Sequence, residues 1–93
     1  MKPEELFDAA DSVESKEDFL RFVEGLQCDF EDSRQKEKEA PSNPYGAAAN
    51  GWNNTDIAGF LEAMRAWAVD AKTDPAPSWR LFAKMLHNGK LYE

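Results

Sequence analysis

A chain of 93 residues with a single cysteine and a net charge of −7 forms no intramolecular disulfide and holds about one domain's worth of core. Apolar residues make up 42% of it and aromatic residues 12%, enough to hold a folded state by burial at roughly 25 cal/mol per Å² of apolar surface, which argues against disorder of the whole chain. Residues 1–40 carry 13 Asp or Glu against 6 Lys or Arg, whereas residues 41–93 carry 5 of each; without clustered cations, nucleic acid and anionic membrane are poor partners, and a basic protein surface suits the acidic half.

The N-terminal stretch MKPEELFDAADSVESKEDF has no uninterrupted apolar run of the kind a secretory leader needs, and nothing approaches the roughly 18 apolar residues of a membrane span. With the lone thiol of Cys28, this reads as a cytoplasmic protein in a reducing compartment. Leu6, Phe7, Ala10 and Val13 form a weakly periodic segment after Pro3, which predicts a short helix. Ser15-Lys16-Glu17-Asp18 resembles a capping box with Asp for Glu, and Phe19, Phe22, Val23, Leu26 and Phe30 then share one helical stripe. Beyond Phe30 the apolar stripe stops while charge continues through residues 31–39, with Asp32 and Lys36 four apart, so that segment either projects as helix or frays.

Pro41 ends the helix, and PSNPYGAAANG has the composition of a connector. From about Asp56 to Ala71, the residues Ile57, Phe60, Leu61, Met64, Trp67 and Ala68 form a second stripe; Gly59 inside it hints at close backbone packing. Asp74, Pro75 and Pro77 interrupt. A third helix runs from Pro77 or Ser78 to Asn88 with Trp79, Phe82, Ala83 and Leu86 on one face, and Gly89 suits a left-handed position after its end. The expected fold is all-α: one domain over residues 1–93, a bundle of three main helices plus a short N-terminal helix. It divides into an acidic helical part (1–40), an irregular loop (about 41–54) and a neutral helical part (55–93). Its core would be Phe19, Phe22, Leu26, Ile57, Phe60, Leu61, Trp67, Trp79, Phe82 and Leu86.

Trp52, set among Asn and Gly, admits two readings. With Asn53 as N-cap it stands at N′ and staples to Ile57, whereas with Asn54 as cap it is free to cover another surface. The second reading makes it part of a binding rim beside a Gly- and Ala-containing loop. The pattern Gly51-Trp52-x-Asn54-x-x-Ile57-x-x-Phe60-Leu61-Glu62-Ala63, followed by Ser78-Trp79-x-Leu81-Phe82-Ala83 and Gly89-Lys90-Leu91-Tyr92-Glu93, resembles a family of small, mostly bacterial proteins defined as a domain of unknown function. The resemblance covers roughly residues 13–93. It implies a stand-alone helical domain and supplies no activity, cofactor or catalytic residue.

No phosphate-cradling loop occurs. His87, the sole histidine, fits a protonated imidazole at a helix C-terminus better than a metal ligand or catalytic base. Cys28 sits beside Asp29 and Glu31, which disfavours a reactive thiolate. No catalytic residue, metal or cofactor is therefore assigned. The first functional expectation is a non-catalytic interaction or regulatory module, of the immunity-protein kind, that is monomeric or weakly self-associating and meets a basic protein through Glu31 and Asp32. The alternative is a small-molecule binder or minor enzyme with a pocket under the 41–55 loop, lined by Tyr45, Trp52, Asn53, Asn54 and Trp79.

Overall fold

The structure, a computed structural model, describes residues 1–71 and 74–93. A short 3-10 turn at Pro3–Glu5 leads into helix α1 (Leu6–Asp11), followed by α2 (Lys16–Glu39), α3 (Ile57–Asp70) and α4 (Trp79–Leu91). The fold is all-α, as the periodicities imply, and among the described residues no strand occurs beyond one isolated Ala48–Trp52 bridge. The charged segment 31–39 is helical to its end.

Each long helix starts on a side-chain cap. Ser15 Oγ accepts from the Asp18 backbone N–H at 3.1 Å, and Asp18 reciprocates by accepting from Glu14 N–H at 3.1 Å, one residue earlier than a regular capping box would. Ser78 Oγ accepts from Leu81 N–H at 3.0 Å. The start of α3 departs from both sequence readings: its N-cap is Asp56, whose carboxylate accepts from Gly59 N–H at 2.6 Å. Neither Asn53 nor Asn54 caps it, and Trp52 is no staple. Gly59 consequently faces its own cap, with Asp56 Oδ1 at 3.2 Å from the place of a Cβ, rather than another backbone.

Helix α4 is the central element and packs against α1, α2 and α3. The core consists of Leu6, Ala10, Val13, Phe22, Leu26, Trp52 and Ala83, with Phe19, Phe30, Phe60 and Leu86 packed against it. Five residues of the expected core lie outside it: Ile57 is 80% and Leu61 55% exposed, Trp79 and Phe82 are also exposed, and Trp67 is half-buried away from it. At the α3–α4 contact the buried Gly89 lets the Phe60 ring and Met64 of α3 come up against the α4 backbone, and the wall of α3 that carries Ile57 and Leu61 is left uncovered. Gly89 lies inside α4, not beyond its end. A Cβ there would stand 2.8 Å from the Phe60 ring and 2.9 Å from Met64 Cγ. The helix continues to Leu91 with Tyr92 as its C-cap.

Candidate functional site

The connector is ordered by α2. Glu37 accepts from the backbone N–H of Ser42 (2.7 Å) and Ala49 (2.9 Å), and Ser33 Oγ donates to Ala49 O at 2.7 Å. These bonds, led by those from Ser42, hold the Glu37 carboxyl below its usual range. Between the bridged residues Ala48 and Trp52, Asn50 adopts φ 62° and Gly51 φ 81°, left-handed conformations that Asn and Gly tolerate best. The turn aims the Asn50 amide at α2. Its Nδ2 lies 3.0 Å from Asp29 Oδ1, 3.2 Å from Asp29 O and 3.0 Å from Asp32 Oδ2, while its Oδ1 accepts from Lys36 Nζ at 2.8 Å. The Asn50 hydrogen bond, followed by Lys36, lowers the Asp32 pKa.

Trp52 turns inward from this clasp. Its Nε1–H donates to Asp29 Oδ2 at 2.9 Å, and its ring meets Phe30 edge-on at 4.8 Å between centroids and stacks on Phe60 at 6.3 Å. Lys90 arrives from α4 on the other side: its ammonium donates to the same Asp29 oxygen at 2.7 Å and stands 5.4 Å from the Trp52 ring centroid. Lys90 and Asp29 are each 2% exposed. A buried charge pair persists only when its remaining hydrogen-bonding capacity is met. Asp29 meets it with donors from Asn50 and Trp52 of the connector and Lys90 of α4, and among the described residues no buried side-chain polar atom lacks a partner.

The following residues complete the closure. Asn53 N–H donates to Lys90 O at 3.1 Å and Asn53 Nδ2 to Leu91 O at 2.9 Å; Asn54 Nδ2 donates to Gly89 O (3.0 Å) and Tyr92 O (2.9 Å). Carbonyls at a helix C-terminus have no partner within the helix, so both asparagines serve the end of α4 instead of the start of α3. His87 lies one turn before Lys90 and is buried, with its ring edge-on to Phe22. Burial first and the Lys90 charge second push its pKa below the usual value, against a smaller opposing pull from Asp29. It is therefore a core imidazole whose neutral form is favoured, and the expectation of a protonated helix-end histidine is corrected.

Beside this closed centre lies an open groove of ≈ 350 Å³. Val23, Gln27 and Phe30 of α2 form one wall, Ile57 and Leu61 of α3 the other, and Trp52, Phe60 and Leu86 the floor. Of the residues singled out in the sequence, Trp52 and Asn54 border this groove. Tyr45 is 97% exposed. Trp79 packs at the start of α4, with Phe19 at 5.3 Å and Phe82 at 6.1 Å. Glu31 is exposed on α2, whereas Asp32 is engaged with Asn50 and Lys36. Tyr45, Asn53 and Trp79 do not line the groove with Trp52 and Asn54.

The centre itself rests on Asp29, Asn50 and Lys90, which sequence reasoning passed over. A signal for Asp29 was present: Phe22, Leu26, Asp29 and Ser33 fall at i, i+4, i+7 and i+11 on a single face, so a carboxylate stood in an apolar row. Lys90 gave none, because a lysine near a helix end ordinarily reaches water.

Among the described residues no group of three or more His, Cys, Asp or Glu is placed to hold a metal, and no helix is long and apolar enough to cross a membrane. No curated protein and no solved structure matches the chain. The model of a family of unknown function, DUF7660, matches residues 15–93, a span that begins at the cap of α2 and takes in the clasp, the groove and all of α4. The chain belongs to that family.

Proposed function

We propose that this protein is a non-catalytic interaction module that presents the acidic face of α2 to a basic protein partner. The observation that carries the reading is how the charges are spent. The cations of α4 are consumed internally: Lys90 by Asp29, Lys84 by Asp11 at 2.9 Å and Arg80 by Glu14 at 3.5 Å. Glu17, Glu24 and Glu31 remain exposed along α2. The polar centre is closed upon itself, which favours a scaffolding role for it over a reacting one. A cytoplasmic setting, supported by the exposed lone thiol of Cys28, belongs to the same reading, as does a monomeric or weakly self-associating state.

Charge-driven association weakens as salt shortens the screening length, to roughly 4 Å near 0.5 M. Partners captured on immobilised protein at low salt should therefore be lost toward about 0.5 M, and should bind a Glu24→Lys/Glu31→Lys variant more slowly. Capture that ignores both salt and charge reversal refutes the proposal.

A further inference from the structure

We infer that the groove between α2 and α3 is the seat of a guest α-helix carried by a basic partner, its apolar row on Ile57, Leu61 and Val23 and its Lys or Arg side chains toward Glu24 and Glu31. The inference rests on the acidic-face reading above and adds the form of the guest. Ile57 is 80% and Leu61 55% exposed, on a wall that faces the aromatic floor of the groove. Both walls are helices whose backbone groups are already hydrogen-bonded within themselves, and among the described residues no strand edge is open beside them. An extended guest would bring its own N–H and C=O groups against apolar walls with nothing to receive them; a helix arrives with those groups paired.

Charge selects the partner. Leu20, Glu24, Gln27 and Glu31 follow one another at four-, three- and four-residue steps, so the acids share a row with the groove-lining Gln27. Asp56 stands on the opposite lip. Arg34 lies one turn past Phe30 and Arg65 one turn past Leu61, at the margins of the two walls. A second copy of the chain is disfavoured, since each copy carries −7 and like charges would meet. The eleven helical steps from Leu20 to Glu31 span about 16 Å, or roughly three turns of guest helix.

The test uses two synthetic 18-residue Leu/Lys peptides of identical composition, one with Leu at i, i+3, i+4, i+7 spacing and one with strict alternation. Binding is followed by amide, indole and methyl NMR on the full chain. The helix-patterned peptide should shift the Trp52 indole and the Ile57 and Leu61 signals. Leu61→Glu should weaken it about tenfold or more, the loss of one well-packed anchor, and Glu24→Lys/Glu31→Lys about fivefold at low salt. Leu61 is exposed, so its variant keeps the native helical spectrum; Ile57→Glu provides a second probe of the same wall.

Equal binding of the alternating peptide, shifts confined to residues outside the groove, or indifference to Leu61→Glu each overturns the guest helix. If charge reversal still weakens capture of basic proteins in those cases, the acidic-face reading survives on its own. Loss with Leu61→Glu but none with charge reversal removes the basic partner and that reading together. Concentration-dependent self-association abolished by Leu61→Glu would put a second copy in the groove and overturn the proposal.

Discussion

Asp29 receives a donor from the connector's amide, from an indole and from an ammonium, and each of those residues depends on it. Lys90→Ala or Asp29→Ala leaves a buried charge without its counterpart and should cost about 3–5 kcal/mol by chemical denaturation. The double variant should cost clearly less than the two losses combined, because the second change removes an already orphaned charge. Trp52→Phe keeps the ring contacts but withdraws one donor from Asp29, for an expected loss of about 1–3 kcal/mol. His87 adds a pH dependence with a definite sign. Its folded pKa lies below the ordinary 6.5, so as the pH falls from 6.5 toward that lower value the unfolded chain takes up a proton that the folded chain resists. Stability should decline across that window, and His87→Phe should flatten the slope. At this scale little of the centre was legible: Asp29 in an apolar row was a sign, while Lys90 and the left-handed Asn50 acquire their roles only from partners distant in sequence.

The helices themselves were largely legible, because their signals are local. Ser15 precedes its stripe and caps it as expected, and Ser78, read as a possible first residue of its helix, is that helix's cap. The start of α3 was misplaced by the two asparagines read as its caps: Asn53 and Asn54 are drawn to the carbonyls at the end of α4, and Asp56 caps the helix in their place. Asp56→Ala should therefore destabilise the protein by about 1 kcal/mol, whereas Asn53→Asp, which loses its donor amide, should act at α4 and leave the amide exchange of the first turn of α3 unchanged. Gly89→Ala gives a sharper contrast. In an exposed helix interior that change gains about 1 kcal/mol. Here the new methyl meets the Phe60 ring at 2.8 Å, and a net loss of about 1–3 kcal/mol is expected from thermal or denaturant unfolding.

For the molecule as a whole, the division of charge visible in the sequence is partly resolved by folding, since α4 lends its cations to the acidic half. The carboxyls of Asp11, Asp18, Asp32 and Glu37 have pKa values lowered by their partners: Lys84 for Asp11, the Glu14 backbone for Asp18, Asn50 for Asp32 and Ser42 for Glu37. A lowered folded pKa contributes stability above the unfolded value, and that contribution fades as the pH falls below about 4. An acid titration followed by circular dichroism should thus show two separate declines, one below 6.5 that depends on His87 and one below about 4 that does not. The overall arrangement of the core was the least legible level. Stripes report which side chains want burial, but Gly89, which admits Phe60 and Met64 against α4, gave no apolar signal, and Ile57 and Leu61 are left beside an open groove.

The meeting of Asp29, Trp52 and Lys90 also bears on the lifetime of the folded state. Their positions are 23, 38 and 61 residues apart along the chain, so the centre closes only after long stretches have been brought together, at an entropic cost the adjacent α3–α4 pair largely escapes. Late closure, after the barrier to folding has been crossed, is the order expected of a centre with that entropic cost. Variants at Asp29 or Lys90 should accordingly accelerate escape from the native state while leaving the refolding limb of a stopped-flow chevron nearly unmoved, which makes the buried pair a brake on unravelling.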